Sequence, residues 1–246
     1  MTALEVQGLA KIFGGLRAVD GVSLSVAQGE RRVLIGPNGA GKTTLFHCVT
    51  GTLRPSAGRV ALFGRDVTGL PEHRRTALGM GRTFQITNLF GELSLLENLS
   101  LALLGTERRK WVMHRPLESY EDVRRRALAG LERMGLAQRA NEAVKQISYG
   151  ERRQLELALA LNTGPRVIFL DEPCAGLSPS ERQNVSRMIA ALPRDITLVM
   201  IEHDMDVALA LADRVTVLHR GRVILEGSPQ EVQANPEVRD VYFGHA

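Results

Sequence analysis

The segment IGPNGAGKTT at residues 35–44 constrains this chain most. It places three glycines and a lysine directly after the apolar stretch RRVLI at 31–35. Glycine costs more conformational entropy to order than any other residue, but its backbone reaches positions that other residues avoid. The segment fits the pattern G-x-x-x-x-G-K-[ST], in which backbone N–H groups and the first turn of a helix surround a phosphate. It therefore predicts a strand, a phosphate-binding loop and a helix.

Each residue of this loop has an expected role toward a polyphosphate. The Lys42 ammonium would reach the β- and γ-phosphates, the Thr43 hydroxyl would ligate Mg²⁺, and Thr44 would touch the α-phosphate. The simpler interpretation is a glycine-rich turn that opens a helix, and the strand before the loop argues against it. The predicted nucleotide-binding residues are Phe13, Gly36, Pro37, Asn38, Gly39, Ala40, Gly41, Lys42, Thr43 and Thr44.

A pair of acidic residues follows a second buried strand. The stretch VIFLDEP ends its apolar run in Asp171 and Glu172. The first carboxylate would lie near the metal, and the second would orient or deprotonate a water that attacks the γ-phosphate. Ordinary turn chemistry is the alternative for this segment alone. Together with the phosphate loop, the pair favours hydrolysis of ATP over phosphoryl transfer to a hydroxyl.

The stretch ISYGERRQLELALAL at 147–161 is a third element. Ser148 and Glu151 have the spacing of a capping box before a strongly helical run, so the stretch predicts a well-formed helix start. A capped helix amino terminus with Gly150 is also an anion site. A second anion site beside a complete phosphate loop suggests a shared nucleotide.

The alternation of strands and helices predicts an α/β fold with parallel central strands and antiparallel edges. Apolar alternation at residues 4–6 and 22–26 predicts half-buried strands, and 86–147 predicts helices without a strand. Buried strands are predicted at 33–35, 59–64, 167–170 and 196–201, and helices at 42–51, 94–104, 119–134, 150–162, 179–192 and 204–211.

Composition excludes several classes of protein. The 246 residues are 44% hydrophobic and 24% charged, which suits one substantial core. No run of eighteen apolar residues exists and the amino terminus lacks a secretory h-region, so a cytoplasmic location is expected. The two cysteines, Cys48 and Cys174, are expected to be reduced core residues. A net charge of +4 without an aromatic-studded basic stripe gives little reason to expect nucleic acid.

The order of these motifs resembles the ATP-binding cassette superfamily over nearly the whole chain. The order is the loop at 36–44, RTFQ with Gln85, ISYGE, VIFLDEPCAGLS and IEHD. The resemblance implies a P-loop ATPase domain with a mixed sheet, an antiparallel β subdomain and an inserted helical subdomain. It implies a core at 1–85 and 148–225, a helical subdomain at 86–147 and a tail at 226–246. It also implies a head-to-tail dimer that holds two ATP molecules.

The resemblance gives further residues a role. Phe13 would stack on adenine, although a core position is the simpler interpretation. Gln85 would contact Mg²⁺ and the attacking water, Glu172 would be the base, and His203 would hold the γ-phosphate. The predicted catalytic residues are thus Glu172, His203 and Gln85. The predicted metal ligands are Thr43, Gln85 and Asp171. The residues predicted to bind the ATP held by the other subunit are Ser148, Tyr149, Gly150, Glu151 and Ser178.

The chain departs from the superfamily pattern at two places. The signature L-S-G-G-Q differs here at Ile147, Tyr149 and Glu151, and the last of these places a carboxylate near a phosphate. Glu151 is expected to turn back into its capping box, which would relieve the repulsion. Ser178 stands where the superfamily commonly has Asp, and it is expected to cap the helix that begins at Pro179, with Glu181 completing the box.

Within the superfamily, the chain resembles the ATPase subunits of branched-chain amino-acid importers. The tail GSPQEVQANPEVRDVYFG and the insertion at about 105–127 carry this likeness. It implies docking on separate permease subunits through residues 84–98, at the cytoplasmic face of the inner membrane, with an extracytoplasmic (periplasmic) substrate-binding protein acting indirectly. Trp111 in this insertion is expected to pack in a solvated loop, with contact to membrane or permease as the alternative.

Three other functions remain open from the sequence alone. The same motor could serve urea or short amides, or lipopolysaccharide export. A cassette protein that acts on DNA or the ribosome would usually carry two cassettes or an added insertion. A small-molecule P-loop kinase disagrees with ISYGE and IEHD. The second cassette of the dimer could be a copy of this chain or a related subunit.

Overall fold

A computed structural model describes residues 1–83, 89–112 and 115–243. The chain divides into two compact units. The first comprises 1–80, 166–172 and 192–246, and the second comprises 81–165 and 173–191.

The predicted strands and helices are present in the predicted order, and the structure adds further short elements. The strands are β1 (Thr2–Phe13), β2 (Leu16–Ala27), β3 (Arg31–Ile35), β4 (Ala57–Leu62), β5 (Arg65–Asp66), β6 (Met80–Arg82), β7 (Val167–Asp171), β8 (Thr197–Ile201), β9 (Arg214–His219) and β10 (Arg222–Gly227). The helices are α1 (Lys42–Thr50), α2 (Glu72–Thr76), α3 (Leu95–Thr106), α4 (Glu121–Arg133), α5 (Tyr149–Asn162), α6 (Pro179–Ala190), α7 (Met205–Leu211), α8 (Pro229–Ala234) and α9 (Pro236–Phe243). All six predicted helices are confirmed.

Two sheets are present in the described structure, and both predicted kinds of strand pairing are confirmed. One sheet has the order β2-β1-β4-β5, and its strands pair antiparallel. The other has the order β10-β9-β3-β8-β7-β6. In it β3 pairs parallel with β8 and β9, β7 pairs parallel with β8, and β10 pairs antiparallel with β9. The second sheet is therefore mixed, with a parallel centre and an antiparallel edge.

The centre of the mixed sheet positions the candidate site. Every residue of β3, β7 and β8 is buried, as continuous apolar runs predict for strands covered on both faces. Ile201 pairs with Leu34 on one side and with Asp171 on the other. The loops that follow β3, β7 and β8 therefore leave the sheet at one edge. Phe46 of α1 meets Phe169 of β7 edge-on, with ring centroids 5.2 Å apart, which fixes the helix after the phosphate loop.

Buried arginines begin the strand before the phosphate loop. Arg32 of β3 is almost fully buried. Its guanidinium lies 2.7 Å from Glu30 and 2.6 Å from Glu226, and it donates a further hydrogen bond to Thr216. Because a buried charge needs such partners, these carboxylates allow a charged residue in an otherwise apolar strand.

The second unit is built of helices packed around an apolar core. Helices α3, α4 and α5 pack on one another, and α6 packs on α5. This unit extends beyond the predicted 86–147 segment, because α5 contributes Leu155 and other buried residues to the same helical packing. Among the described residues of 86–147 the structure shows no strand beyond an isolated bridge between Ser94 and Ala143.

The tail of the chain is helical, and both cysteines are buried. Residues 228–243 form the short helices α8 and α9, and α8 begins with a capping box of Ser228 and Glu231. Cys48 and Cys174 are both buried thiols, as predicted. Within the described ranges, no helix is long and apolar enough to cross a membrane.

Candidate active site

Two of the three glycines of the phosphate loop, Gly36 and Gly41, are required by close backbone packing. Gly36 has φ of 152° and Gly41 has φ of 100°. A Cβ on Gly36 would lie 2.2 Å from the carbonyl oxygen of Leu218, and one on Gly41 would lie 2.2 Å from that of Ala18. Both distances are far below van der Waals contact. Neither position can therefore hold another residue without displacing a neighbouring backbone segment.

Helix α1 begins directly after this loop with its amino terminus open to an anion. Gly41 is the N-cap residue, and no side chain of the described structure caps the helix. The first turn contains no acidic residue, and Thr43 and Thr44 follow Lys42 in it. Unsatisfied N–H groups and the positive end of the helix dipole favour a negative ligand here.

Lys42 bridges the loop in the structure. Its side chain is buried, and Nζ donates to the carbonyl oxygens of Gly36 at 2.7 Å and Pro37 at 3.1 Å. Burial lowers the pKa of Lys42 below its ordinary value, while the negative charges of Glu172 and Asp171 act in the opposite direction. The ammonium thus lies in the field of both predicted carboxylates.

The acidic pair lies at the end of β7, where the sequence places it. Asp171 is the last residue of this strand and is buried. Glu172 has φ of 49°, a left-handed conformation that non-glycine residues rarely adopt. Its N–H donates to the carbonyl oxygen of Ile201 at 3.0 Å, which holds the turn after the strand. A strained backbone of this kind is common at catalytic positions, and no local sequence pattern predicts it.

His203 is brought to the predicted base by the loop after β8. Its ring atom Nε2 lies 2.8 Å from Oε1 of Glu172. Its backbone N–H donates to the carboxylate of the preceding Glu202 at 3.1 Å. The His203 side chain is 41% exposed and that of Glu172 is 20% exposed. The two predicted catalytic side chains therefore touch each other and remain accessible from solvent.

Phe13 lies at the end of β1 with its ring exposed. The residue is 46% exposed, and Nζ of Lys11 lies 5.0 Å from the ring centroid. This excludes the alternative of a core residue. An exposed aromatic face beside a cation is available to a planar ligand.

In the second unit, both predicted capping boxes are confirmed. The N–H of Glu151 donates to Oγ of Ser148 at 3.2 Å, and the N–H of Ser148 donates to Glu151 at 2.8 Å. Glu181 and Ser178 form the same reciprocal pair at the start of α6. Gly150 lies against this second box, because a Cβ there would be 2.4 Å from Oε1 of Glu181.

Tyr149 occupies the position where the superfamily pattern has glycine. The residue is 49% exposed, and its hydroxyl donates to the carbonyl oxygen of Ala175 at 3.5 Å. Its ring lies against Gly176 and beside the guanidinium of Arg153, 5.5 Å from the ring centroid. The larger side chain thus has a fixed place within the second unit.

Glu151 has a partner that the sequence did not predict. Nη1 of Arg139 lies 2.5 Å from Oε1 of Glu151, and the same guanidinium donates to Glu142. Burial alone would raise the pKa of Glu151, but hydrogen bonds from Arg139 and Ser148 outweigh it and the pKa is lowered. Twelve positions separate Arg139 from Glu151, and no local spacing rule connects them.

The metal site is only partly within the described residues. Gln85 lies outside them, so its predicted roles stay predictions. Asp171 and Thr43 supply a carboxylate and a hydroxyl, which are oxygen ligands of the kind that Mg²⁺ takes. Among the described residues, no three His, Cys, Asp or Glu side chains group together as a metal cage.

These features define a class of protein. An open helix amino terminus follows a glycine loop that holds a buried lysine. Two carboxylates lie in the electrostatic field of this lysine, and a histidine contacts one of them. This is the arrangement of P-loop proteins that bind and hydrolyse nucleoside triphosphates.

Comparison with known proteins identifies the family. Residues 19–175 match the family model described as ABC transporter, and 222–246 match that of the branched-chain amino acid ATP-binding cassette transporter. The chain therefore belongs to the ABC transporter family. The predicted fold, the ATPase activity and the binding of ATP are confirmed by this membership.

Individual relatives span the whole chain. The high-affinity branched-chain amino acid transport ATP-binding protein BraF of Pseudomonas aeruginosa is 39% identical over 99% of this chain and 98% of its own. LivG of Salmonella typhimurium, which carries the same description, is 40% identical over the same shares. The crystal structure of MJ1267 in its ADP conformation, an ATP-binding cassette of an ABC transporter, is 31% identical with a TM-score of 0.89, and all of both chains is covered.

Proposed function

We propose that the chain is the ATP-hydrolysing subunit of an importer for branched-chain amino acids. The match of residues 222–246 to the branched-chain cassette model carries the cargo part of this proposal, because that segment lies outside the match to the general transporter model. The names of BraF and LivG agree with it. The proposed place is the cytoplasmic face of the cell membrane, where the chain would dock on permease subunits.

The phosphate loop would bind the triphosphate of ATP. Lys42 would exchange its bonds to the carbonyls of Gly36 and Pro37 for bonds to the β- and γ-phosphates, which are stronger because both partners are charged. The N–H groups at the start of α1 would receive the remaining phosphate oxygens. Phe13 would stack on the adenine, and Thr44 would touch the α-phosphate.

Thr43 and Asp171 would hold Mg²⁺, with Gln85 as a third proposed ligand. The ion would neutralise charge that develops on the phosphate oxygens. Glu172 would accept the proton of the attacking water. His203 would hold the γ-phosphate and, through its contact with Oε1, keep the Glu172 carboxylate in one orientation.

The second half of each ATP site would come from another cassette. Ser148 and Gly150 lie at a capped amino terminus of the long helix α5, which is a suitable place for a γ-phosphate. We include Tyr149, Glu151 and Ser178 in this surface. The structure of MJ0796 bound to ADP and Pi is described as dimeric; it is 26% identical with a TM-score of 0.79, covering 92% of this chain and 98% of its own.

Transport with defined solutes tests the proposal. The chain would be co-expressed with whatever permeases and binding protein its neighbouring genes encode, and the complex would be reconstituted in vesicles with ATP inside. We expect uptake of leucine, isoleucine or valine that ceases with Glu172→Gln. Uptake of urea or acetamide in place of these amino acids would overturn the cargo assignment.

Co-purification from the cells used for co-expression tests the proposed location. Recovery of the chain with the permeases in a membrane fraction agrees with docking through residues 84–98, of which 89–98 are described. Recovery with ribosomes or DNA would overturn it.

A further inference from the structure

The amino terminus of α5 carries a carboxylate where the proposed function needs an anion site. Oε2 of Glu151 accepts the N–H of Ser148 at 2.8 Å, so the capping box holds this side chain at the first turn. A negative charge fixed beside a bound phosphate repels it. Because the capping bonds keep Glu151 in place, only a positively charged partner beside it would reduce this repulsion.

Arg139 is that partner in the structure. Its Nη1 lies 2.5 Å from Oε1 of Glu151, the oxygen that the Ser148 N–H does not use. Its Nε and Nη2 donate to Oε2 of Glu142 at 2.9 and 2.6 Å. The guanidinium thus binds two carboxylates through separate nitrogens, which is the rigid fork geometry that lysine lacks.

The charges of this cluster add up differently with and without the arginine. Arg139, Glu142 and Glu151 together carry a net charge of −1, and the two carboxylates alone carry −2. The three side chains are between 24% and 40% exposed, so solvent screens their charges only in part. Without Arg139, Glu151 would present its full charge to an anion arriving at Ser148.

We propose that Arg139 is a positioning residue that makes the amino terminus of α5 competent to bind the γ-phosphate of ATP held by another cassette. It acts by offsetting the charge of Glu151 while leaving that residue free to complete the capping box with Ser148. This inference rests on the proposed function, because the phosphate is supplied by a second subunit.

ATP-driven dimerisation in the Glu172→Gln background measures the effect without turnover. Size-exclusion chromatography with light scattering would follow dimer formation as ATP and Mg²⁺ are raised, with the natural partner cassette added if one exists. Arg139→Ala should raise the ATP concentration for half-maximal dimerisation by at least about tenfold. Adding Glu151→Gln should return this ATP concentration to within about threefold of the parent value, because glutamine also completes a capping box and carries no charge.

Two controls separate this role from a structural one. Arg133→Ala removes one positive charge from an exposed arginine of the same unit, whose side chain contacts the oxygens of Ala129 and Asn162. It should leave dimerisation unchanged. Thermal unfolding of each variant reports loss of fold, and a merely structural Arg139 would predict no rescue by Glu151→Gln.

The outcomes are distinguishable from failure of the proposed function. If the Glu172→Gln parent dimerises and Arg139→Ala dimerises equally well, the role of Arg139 is overturned and the trans site stands. Loss of dimerisation that Glu151→Gln does not restore also overturns it. If the parent never dimerises with ATP, the trans site and the role of Arg139 fall together.

Discussion

Oε1 of Glu172 lies 2.8 Å from Nε2 of His203, and Glu172 reaches this contact from a left-handed backbone with φ of 49°. The two residues follow the ends of neighbouring parallel strands, since Asp171 at the end of β7 pairs with Ile201 at the end of β8. A short turn after each strand is enough to bring the side chains together. The pairing of β7 with β8 therefore brings the two predicted catalytic side chains into contact.

Replacement of Glu172 by glutamine should separate ATP binding from hydrolysis. The amide keeps the size of the side chain but cannot accept the proton of the attacking water. We expect hydrolysis to fall by at least about a hundredfold, the lower range for loss of a general base. Phosphate release would measure turnover, and a fluorescent nucleotide would measure binding, which should remain. Turnover at the parent rate would show that another group is the base.

Replacement of Lys42 by alanine should weaken nucleotide binding. The ammonium is buried beside the phosphate loop, so a phosphate bound there would lose a charge-assisted partner in a partly desolvated place. We expect the Kd for ATP to rise by at least about tenfold. Titration with a fluorescent ATP analogue measures it.

A lysine elsewhere provides the control for this measurement. Lys145 is exposed and paired with Glu92 in the second unit. Lys145→Ala removes the same charge and should leave the Kd as in the parent. An equal loss in both variants would mean that net charge, and not the loop, determines affinity.

Much of this site was predictable because its signals are local. The glycine loop, the carboxylate pair and the capping serines act within a few residues of one another, so spacing alone locates them. The contact between Arg139 and Glu151 joins side chains twelve positions apart and has no such signal. The left-handed Glu172 is equally hidden, because no rule of composition marks a strained turn at glutamate.

The antiparallel sheet shows why sequence alternation underestimates the length of its strands. Alternation indicated strands only near residues 4–6 and 22–26, whereas β1 and β2 each have twelve residues. Their pairing shifts register at several points, including between Val6 and Leu9. Each irregularity breaks the period of two that marks a half-buried strand. The alternation of apolar and polar residues is therefore lost in parts of the sequence where the strands continue.

Alanine at Gly41 should destabilise the first unit more than alanine at a matched glycine. Gly41 and Gly64 both have positive φ, 100° and 77°, so both substitutions strain the backbone. Only at Gly41 would the new Cβ meet a carbonyl oxygen, that of Ala18, at 2.2 Å. Gly64 faces open space. We expect Gly41→Ala to lower the free energy of unfolding by at least about 1 kcal/mol more than Gly64→Ala does.

Urea unfolding of the two variants measures this difference. Equal losses at both positions would mean that backbone conformation alone requires glycine, and that the contact with Ala18 relaxes without cost.

Removal of the Ser94 hydroxyl should change how stability depends on pH. Ser94 caps α3, and its Oγ and N–H both donate to Glu97, which lowers the pKa of this carboxyl from its ordinary value of 4.5. Because the folded-state pKa is depressed, the stabilisation is present above the unfolded pKa and is lost as pH falls through the folded value. Ser94→Ala should cost about 1 kcal/mol at pH 7.

The difference in free energy of unfolding between the parent and Ser94→Ala should become smaller as the pH falls, because protonated Glu97 no longer accepts both bonds as an anion. Thermal unfolding at pH 7 and at a pH well below 4.5 would measure it. Thr106→Ala serves as the control, since Thr106 also lies on α3 and its hydroxyl donates to a backbone oxygen, that of Leu103, and to no titrating group. Its effect should be the same at both pH values. A gap for Ser94→Ala that stays constant with pH would show that the helix cap works without the Glu97 charge.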